Sequence, residues 1–321
     1  MDQDKDYWRN EVVGFLALTT LKGVGYWTLY KLLKRQIGLK NFLKSTQKED
    51  FEGALHITLD LDGQEWIEYQ RLLWDKGVAL ARQLSSLGIR LIFKRHPDFP
   101  SSLEEISDGP EWIFVQGELE NLHSSSIAVV GTRKATNDGE FLTRYLIALL
   151  AHSKKVIVSG LAVGIDQIAH SEAIRYSLPT VAVLGTGVLK DYPKGSELLR
   201  KNILDSGGTI VSEYLPNQSY SAENFVRRNR IQAALSNVVV PVEWNIKSGT
   251  AHTVDFAFRY RKFIANLYLP GTSSARPELS FSQNRYGAES FEVPAQSDSL
   301  LDFLIHSGSE AVQPVQASFD L

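Results

Sequence analysis

The chain has 321 residues, 43% hydrophobic and 10% aromatic, with Lys+Arg 34 against Asp+Glu 37 and a formal net charge of -3. That length and composition leave room for two domains with a sizeable core, and the lack of cysteine excludes thiol nucleophiles, disulfides and cysteine-built zinc sites. The acidic start Met1-Asp2-Gln3-Asp4-Lys5-Asp6 is one that no secretory signal tolerates, and no apolar run approaches the roughly 18 residues of a transmembrane helix, so a soluble, cytoplasmic protein without membrane contact is expected.

In chain order, residues 1–92 read as a small all-helical domain. Leu21-Lys22-Gly23-Val24-Gly25-Tyr26-Trp27 puts a Gly-x-Gly turn between helical patterns, with Leu29, Leu32 and Leu33 on the second. This resembles a helix-hairpin-helix or SAM-like module, whose turn can offer backbone N–H groups to a phosphate; a plain hairpin packed on a neighbouring domain uses the same residues. Trp66, Ile67, Tyr69, Leu72, Leu73 and Trp74 are expected as core of a further helix. The helical pattern gives way to a Pro-containing loop near Lys94 to Phe99.

Residues 93–271 change character. Short β-branched runs recur at Ile127–Val130, Val156–Val158, Val181–Leu184, Thr209–Val211, Val238–Val240 and Phe263–Leu269. Between them, Phe141–Leu150 and Ile165–Tyr176 carry helical spacing. Such alternation predicts an α/β fold, an extended Rossmann-like, doubly wound and mostly parallel sheet. Ligands bind such sheets beyond the carboxyl ends of the strands, where helix N-termini converge. Here those ends carry Gly131, Thr132, Ser159, Gly160, Gly164, Gly185, Gly187, Ser248, Gly249 and Thr250, candidates for close backbone approach to a phosphate. No G-x-G-x-x-G follows the first run and no Walker lysine motif occurs, which disfavours dinucleotide enzymes and P-loop NTPases.

Phe225-Val226-Arg227-Arg228-Asn229-Arg230-Ile231 is the most informative stretch. Guanidinium forks match phosphate oxygens and an adjacent ring stacks a base, so it reads as a nucleic-acid contact. The overall negative charge does not oppose this, because charges beyond about 8 Å are screened at physiological salt and the local patch decides. His123, His152, His170 and His252 are too scattered for metal spacing, so neither metal nor cofactor is expected. His170 lies four residues after Asp166, within reach of an Asp–His hydrogen bond on one helix face.

The ordered blocks Val130-Gly131-Thr132-Arg133, Ser159-Gly160-Leu161-Ala162-Val163-Gly164-Ile165-Asp166, Leu184-Gly185-Thr186-Gly187 with Asp191-Tyr192-Pro193-Lys194, Val211-Ser212-Glu213, Phe225–Ile231 and Ser248-Gly249-Thr250 resemble the DNA processing protein A (DprA/Smf) family. The resemblance runs from roughly Leu18 to Gly271. It implies a homodimer that binds and protects single-stranded DNA without sequence preference and loads a RecA-type recombinase. It also implies that Arg133, Lys194, Phe225, Arg227, Arg228, Asn229 and Arg230 line the DNA groove. Many relatives end in a winged helix; residues 272–321 are too few and too polar for one and are expected as an irregular extension, with a short helix at Ser299–Ile305.

A different class of function stays open. Gly249-Thr250 followed by Asp255 resembles the nucleotide-binding turn of the lysine-decarboxylase-like phosphoribohydrolases, which would make Asp166, Glu213 or Glu243 a general acid or base at the strand ends. The plainer role for these carboxylates is to hydrogen-bond loop amides.

Overall fold

The computed structural model describes residues 2–307. The first five helices are α1 (Asp2–Thr19), α2 (Tyr26–Lys34), α3 (Leu39–Ser45), α4 (Lys48–Leu55) and α5 (Trp66–Ser86). Gly23, at φ +89°, makes the left-handed turn between α1 and α2. Within α5, Gly77 is buried, and a Cβ there would strike the Val13 carbonyl, so a residue that costs a helix about 1 kcal/mol relative to Ala lets α1 lie close. Of the apolar residues expected as core on α5, Leu73 is buried while Ile67 and Leu72 are exposed, because one stripe of the helix faces α1 and neighbouring positions cannot share it.

The described residues form nine strands in one sheet, ordered β1-β2-β6-β5-β4-β3-β7-β8-β9. These are β1 (Ile89–Phe93), β2 (Trp112–Gly117), β3 (Ser126–Val130), β4 (Val156–Ser159), β5 (Thr180–Val183), β6 (Thr209–Ser212), β7 (Val238–Pro241), β8 (Phe263–Tyr268) and β9 (Glu289–Glu292). The six runs seen in the sequence are β3 to β8, mutually parallel. Side chains alternate across the sheet: Ile127 and Val129 pack against α7 (Asn137–Leu149) and α8 (Ile165–Arg175), while Ala128 and Val130 pack against α10 (Ala222–Leu235) and α11 (Gly249–Arg259). From β3 the chain winds outward through β4, β5 with α9 (Glu197–Asp205), and β6, then returns to β7 on the other side of β3. The strand order therefore reverses between β3 and β7, where a doubly wound sheet opens a crevice.

Two regions differ from expectation. The boundary expected at 92/93 falls inside β1, which runs antiparallel to β2, itself antiparallel to β6. The helical module and this sheet edge share one core: Phe15 lies 4.9 Å from Trp112 and 5.6 Å from Phe93, and Tyr26 lies 4.9 Å from Trp112, ring centre to ring centre. A short α6 (Ser101–Glu104) lies between β1 and β2.

The tail is not irregular through residue 306. It forms α12 (Pro277–Tyr286), β9 and α13 (Ser297–His306), and β9 extends the sheet parallel to β8. Phe291, Leu300 and Leu304 bury in the core of the α7/α8 face, which is enough apolar surface to fix a polar-looking segment. Residues 308–321 of the expected extension lie outside the described residues. Among the described residues no helix is long and apolar enough to cross a membrane.

Candidate nucleic-acid interface

At the crevice between β3 and β7 lies a pocket of about 550 Å³. The turn after β3 brings Gly131, Thr132 and Arg133; the start of α8 brings Asp166; α10 brings Phe225, Arg228, Asn229 and Gln232; and the start of α11 brings Ser248, Gly249 and Thr250. Two side chains that the sequence reading did not assign complete it, Tyr192 from the loop after β5 and Tyr220 from the loop before α10. Tyr192 lies 4.5 Å from Tyr220 and 5.0 Å from Phe225, and Tyr220 and Phe225 are stacked at 6.2 Å. Arg133 is exposed and its guanidinium carbon sits 5.1 Å from the centre of the Phe225 ring. A three-ring platform with a solvent-facing cation can take a base on its face and a phosphate at its edge.

Arg228 is the fixed cation of this pocket, 4% exposed. Its Nη1 donates to the carbonyls of Gly160 (2.6 Å) and Val183 (2.5 Å), which clamps α10 across the ends of β4 and β5. Its Nε donates to Asn229 Oδ1, and Asn229 Nδ2 donates to the Gly249 carbonyl at 3.1 Å, tying α10 to the start of α11. Nη2 has no hydrogen bond among the described residues. Gln232 Nε2 is a buried donor without a partner in the same pocket wall.

The expected groove residues do not all meet here. One helix divides its three arginines between two surroundings, Arg228 at the pocket and Arg227 with Arg230 at the junction. Arg230 is 2% exposed, and its Nη2 donates to Glu213 Oε2 at 2.5 Å inside the junction with the helical module. Arg227 stacks on Tyr26, Trp27 and Tyr30 of α2 and donates to the Tyr26 hydroxyl at 2.8 Å. Arg230 is thus a structural ion-pair partner and not a groove residue, because the 3.6-residue helical period turns it away from Arg228. Lys194 is exposed on the loop that carries Tyr192 and is not part of the pocket wall.

Several of the expected carboxylates and close-approach residues also resolve into packing. Glu213 is fully buried and serves Arg230, Arg227 and the Tyr26 hydroxyl, whose phenol is held well above its usual range by burial first and by the Glu213 charge second. Glu243 accepts from the Thr136 amide at 3.0 Å and holds the loop after β3. Ser159 Oγ donates to the Val129 carbonyl inside the sheet. The space above Gly160 is occupied by the Arg228 guanidinium, that above Gly185 by the Phe225 ring, and that above Gly187 by the carbonyls of Leu215 and Pro216; these glycines admit protein groups. Gly164, at φ +91°, passes against the Thr132 carbonyl.

Asp166 is the carboxylate that stays on the pocket. It accepts from the Gly160 amide at 3.1 Å, and burial pushes its carboxyl up to about 6, while Arg228 pulls the other way. His170 does not reach it; its Nδ1 contacts Thr180 Oγ1 at 2.7 Å, and burial drives the ring down to about 3.

Residues 90–289 match the family described as DNA recombination-mediator protein A, more than half of the chain. Protein Smf of Escherichia coli is 38% identical over 173 residues, 54% of this chain and 46% of that protein. A putative DNA processing protein DprA of Mycobacterium tuberculosis is 35% identical over 200 residues, 62% of this chain and 50% of that protein. The chain spans about half the length of the curated relatives it matches. Among solved structures, DprA of Streptococcus pneumoniae superimposes with a TM-score of 0.62 at 24% identity, covering 92% of this chain and 97% of that one. DNA processing protein A of Helicobacter pylori, solved for its single-stranded DNA binding mode, gives 0.57 at 25% identity, covering 68% and 98%. The chain therefore belongs to the DNA recombination-mediator protein A family, with the DprA and Smf proteins.

Proposed function

We propose that the chain binds single-stranded DNA without sequence preference at the strand-end pocket. In this reading it works as a cytoplasmic homodimer that protects the strand and loads a RecA-type recombinase. The observation that carries the reading is the convergence of Tyr192, Tyr220 and Phe225 with Arg133 and Arg228 on one pocket at the switch point. Rings that accept any base and cations that track phosphates bind strands by stacking and charge, without reading sequence. Lys194, exposed beside Tyr192, extends the phosphate track, and Asn229 holds the pocket closed against α11. Family membership and the strand-binding relative from Helicobacter pylori support the assignment.

The test is titration of an oligo-dT across salt with Arg133→Ala and with Phe225→Ala. Phe225→Ala is expected to weaken binding by roughly tenfold, the scale of one stacked base. Arg133→Ala is expected to lower the salt slope by about 0.7, one phosphate contact on a single strand. Unchanged affinity and slope in both variants would remove the reading.

A nucleotide-hydrolysing reading keeps one observation, the buried Asp166 on the pocket wall, its carboxyl pushed up by burial. Incubation with nucleoside monophosphates separates the two, since a strand binder releases no free base.

A further inference from the structure

We infer that the cleft between the helical module and the sheet domain is a second nucleobase seat, where Trp27 stacks a base of a strand that crosses α10 from the strand-end pocket. The inference rests on the strand-binding reading and adds a site to it. The cleft holds about 530 Å³, a volume that suits one nucleotide, and is bounded by α1, α2, α5, the start of α10 and the loop after β6.

Trp27 is 50% exposed, next to Tyr26 at 7%. Its ring is nonetheless packed by three neighbours: Tyr26 and Tyr30 lie T-shaped to it at 5.2 and 5.7 Å, and the Arg227 guanidinium carbon lies 4.3 Å from its centre. An indole ordered in advance loses little entropy on stacking a base, which is the condition for a useful contact. Arg227 is oriented by its bond to the Tyr26 hydroxyl and by Glu213 at 3.6 Å from its Nε, and its Nη1 has no hydrogen bond among the described residues. That leaves one edge of the guanidinium for a phosphate.

Polar groups around the cleft suit a base edge. The side-chain amides of Gln83 and Asn217 make no hydrogen bond among the described residues and line the wall. Glu223 is the carboxylate on this wall, and it disfavours a phosphate at its own end, so the phosphate belongs at Arg227 and the base at Trp27. Continuity supports the same occupant. The first turns of α10 present Phe225 and Arg228 to the pocket and Glu223, Asn224 and Arg227 to the cleft, so a strand leaving one site reaches the other across the helix.

Affinity is measured for an oligo-dT length series with the wild-type chain, Trp27→Ala, Trp27→Tyr and Phe225→Ala. Short oligonucleotides that fill the pocket alone are expected to bind Trp27→Ala as they bind the wild type. Longer ones are expected to lose roughly 5- to 150-fold, with Trp27→Tyr restoring most of it. Wild-type protein photocrosslinked to 5-iododeoxyuridine oligonucleotides is expected to yield a Trp27 adduct. An unaltered length dependence in Trp27→Ala, or crosslinks to Phe225 or Tyr192 without one to Trp27, overturns the inference. A change of oligomeric state in Trp27→Ala with DNA binding intact gives the cleft to a second copy and overturns it as well. Loss of short-oligonucleotide binding in Phe225→Ala but of nothing in Trp27→Ala sinks the cleft and leaves the pocket. The reverse pattern sinks the pocket reading and leaves the cleft.

Discussion

The strand-end pocket and the junction with the helical module are built from the same helix and the same residue type, yet their guanidinium groups do different work. At the pocket, Arg133 faces solvent over the Phe225 ring, and Arg228 keeps Nη2 unpaired after clamping two strand ends. At the junction, Arg230 spends its charge on Glu213 within a core of Tyr26, Trp112 and Tyr214. Arg133, open to water, can meet a phosphate at little cost, whereas Arg230, already desolvated against a carboxylate, would have to break that pair first. A run of arginines on one helix is thus a set of separate devices, sorted by which side of the helix each faces.

The comparison breaks most visibly if the junction pair is cut. Arg230→Ala removes the shortest ion pair of the buried Glu213, leaving it the longer Arg227 contact and the Tyr26 hydroxyl, and is expected to destabilise the fold by about 3 kcal/mol, while the folded fraction keeps wild-type affinity for oligo-dT. Denaturant unfolding beside a DNA titration reads both. Lost binding with unchanged stability would return Arg230 to the groove. Three atoms at this junction, Glu213 Oε1, Arg230 Nη1 and Arg227 Nε, are buried without hydrogen bonds. For that reason, replacing Arg230 and Glu213 together by apolar residues of similar size is expected to recover much of the loss.

A smaller effect sharpens the pocket side. A methyl group on Gly185 would occupy the place of the Phe225 ring edge, so Gly185→Ala is expected to cost roughly 1–3 kcal/mol of stability through overpacking. It should also weaken strand binding by tilting Phe225 away from Tyr192. If the variant binds normally, the three-ring platform is not the stacking surface.

The parallel sheet was legible because strands buried on both faces must be continuously apolar, and β3 to β8 announce themselves that way. β1 and β9 were not, since edge strands bury less: Glu289-Ser290-Phe291-Glu292 puts Phe291 into the core and leaves Glu289 exposed and Glu292 half-buried, whereas β2, buried from Trp112 to Val115, was missed although it is apolar. At the site, Phe225 and Arg133 could be found from residue type and block order. The partition of Arg227, Arg228 and Arg230 could have been suspected from helical spacing, but which side faces the module depends on how α2 docks. Tyr192 and Tyr220 were missed for a related reason. They come from two loops without periodicity, and only the tertiary fold brings them to Phe225.

The smallest expected effect tests whether the pocket's charge balance is adjustable. Asp166 is 5% exposed, and burial raises its carboxyl from the ordinary 3.8 to about 6, against the pull of Arg228, the Ala162 and Gly160 amides and Arg133. Between about pH 4 and 6 the folded protein holds a proton that the unfolded chain has released. The stability tied to this group is therefore complete below pH 4 and is lost as pH rises through about 6. The same titration acts on binding with a definite sign: a neutral Asp166 leaves Arg228 and Arg133 unopposed, so affinity for oligo-dT should rise as pH falls from 7 toward 5.5. The rise is expected to be roughly threefold, the scale of a weak charge–charge contact when the bound phosphates stay in solvent. His170, held neutral with its ring at about 3, does not titrate in this window. Asp166→Asn should therefore show at pH 7 the affinity that the wild type reaches at pH 5.5, with a flat profile between. A wild-type profile that is already flat would mean that the bound strand never comes close enough to Asp166 to feel its charge.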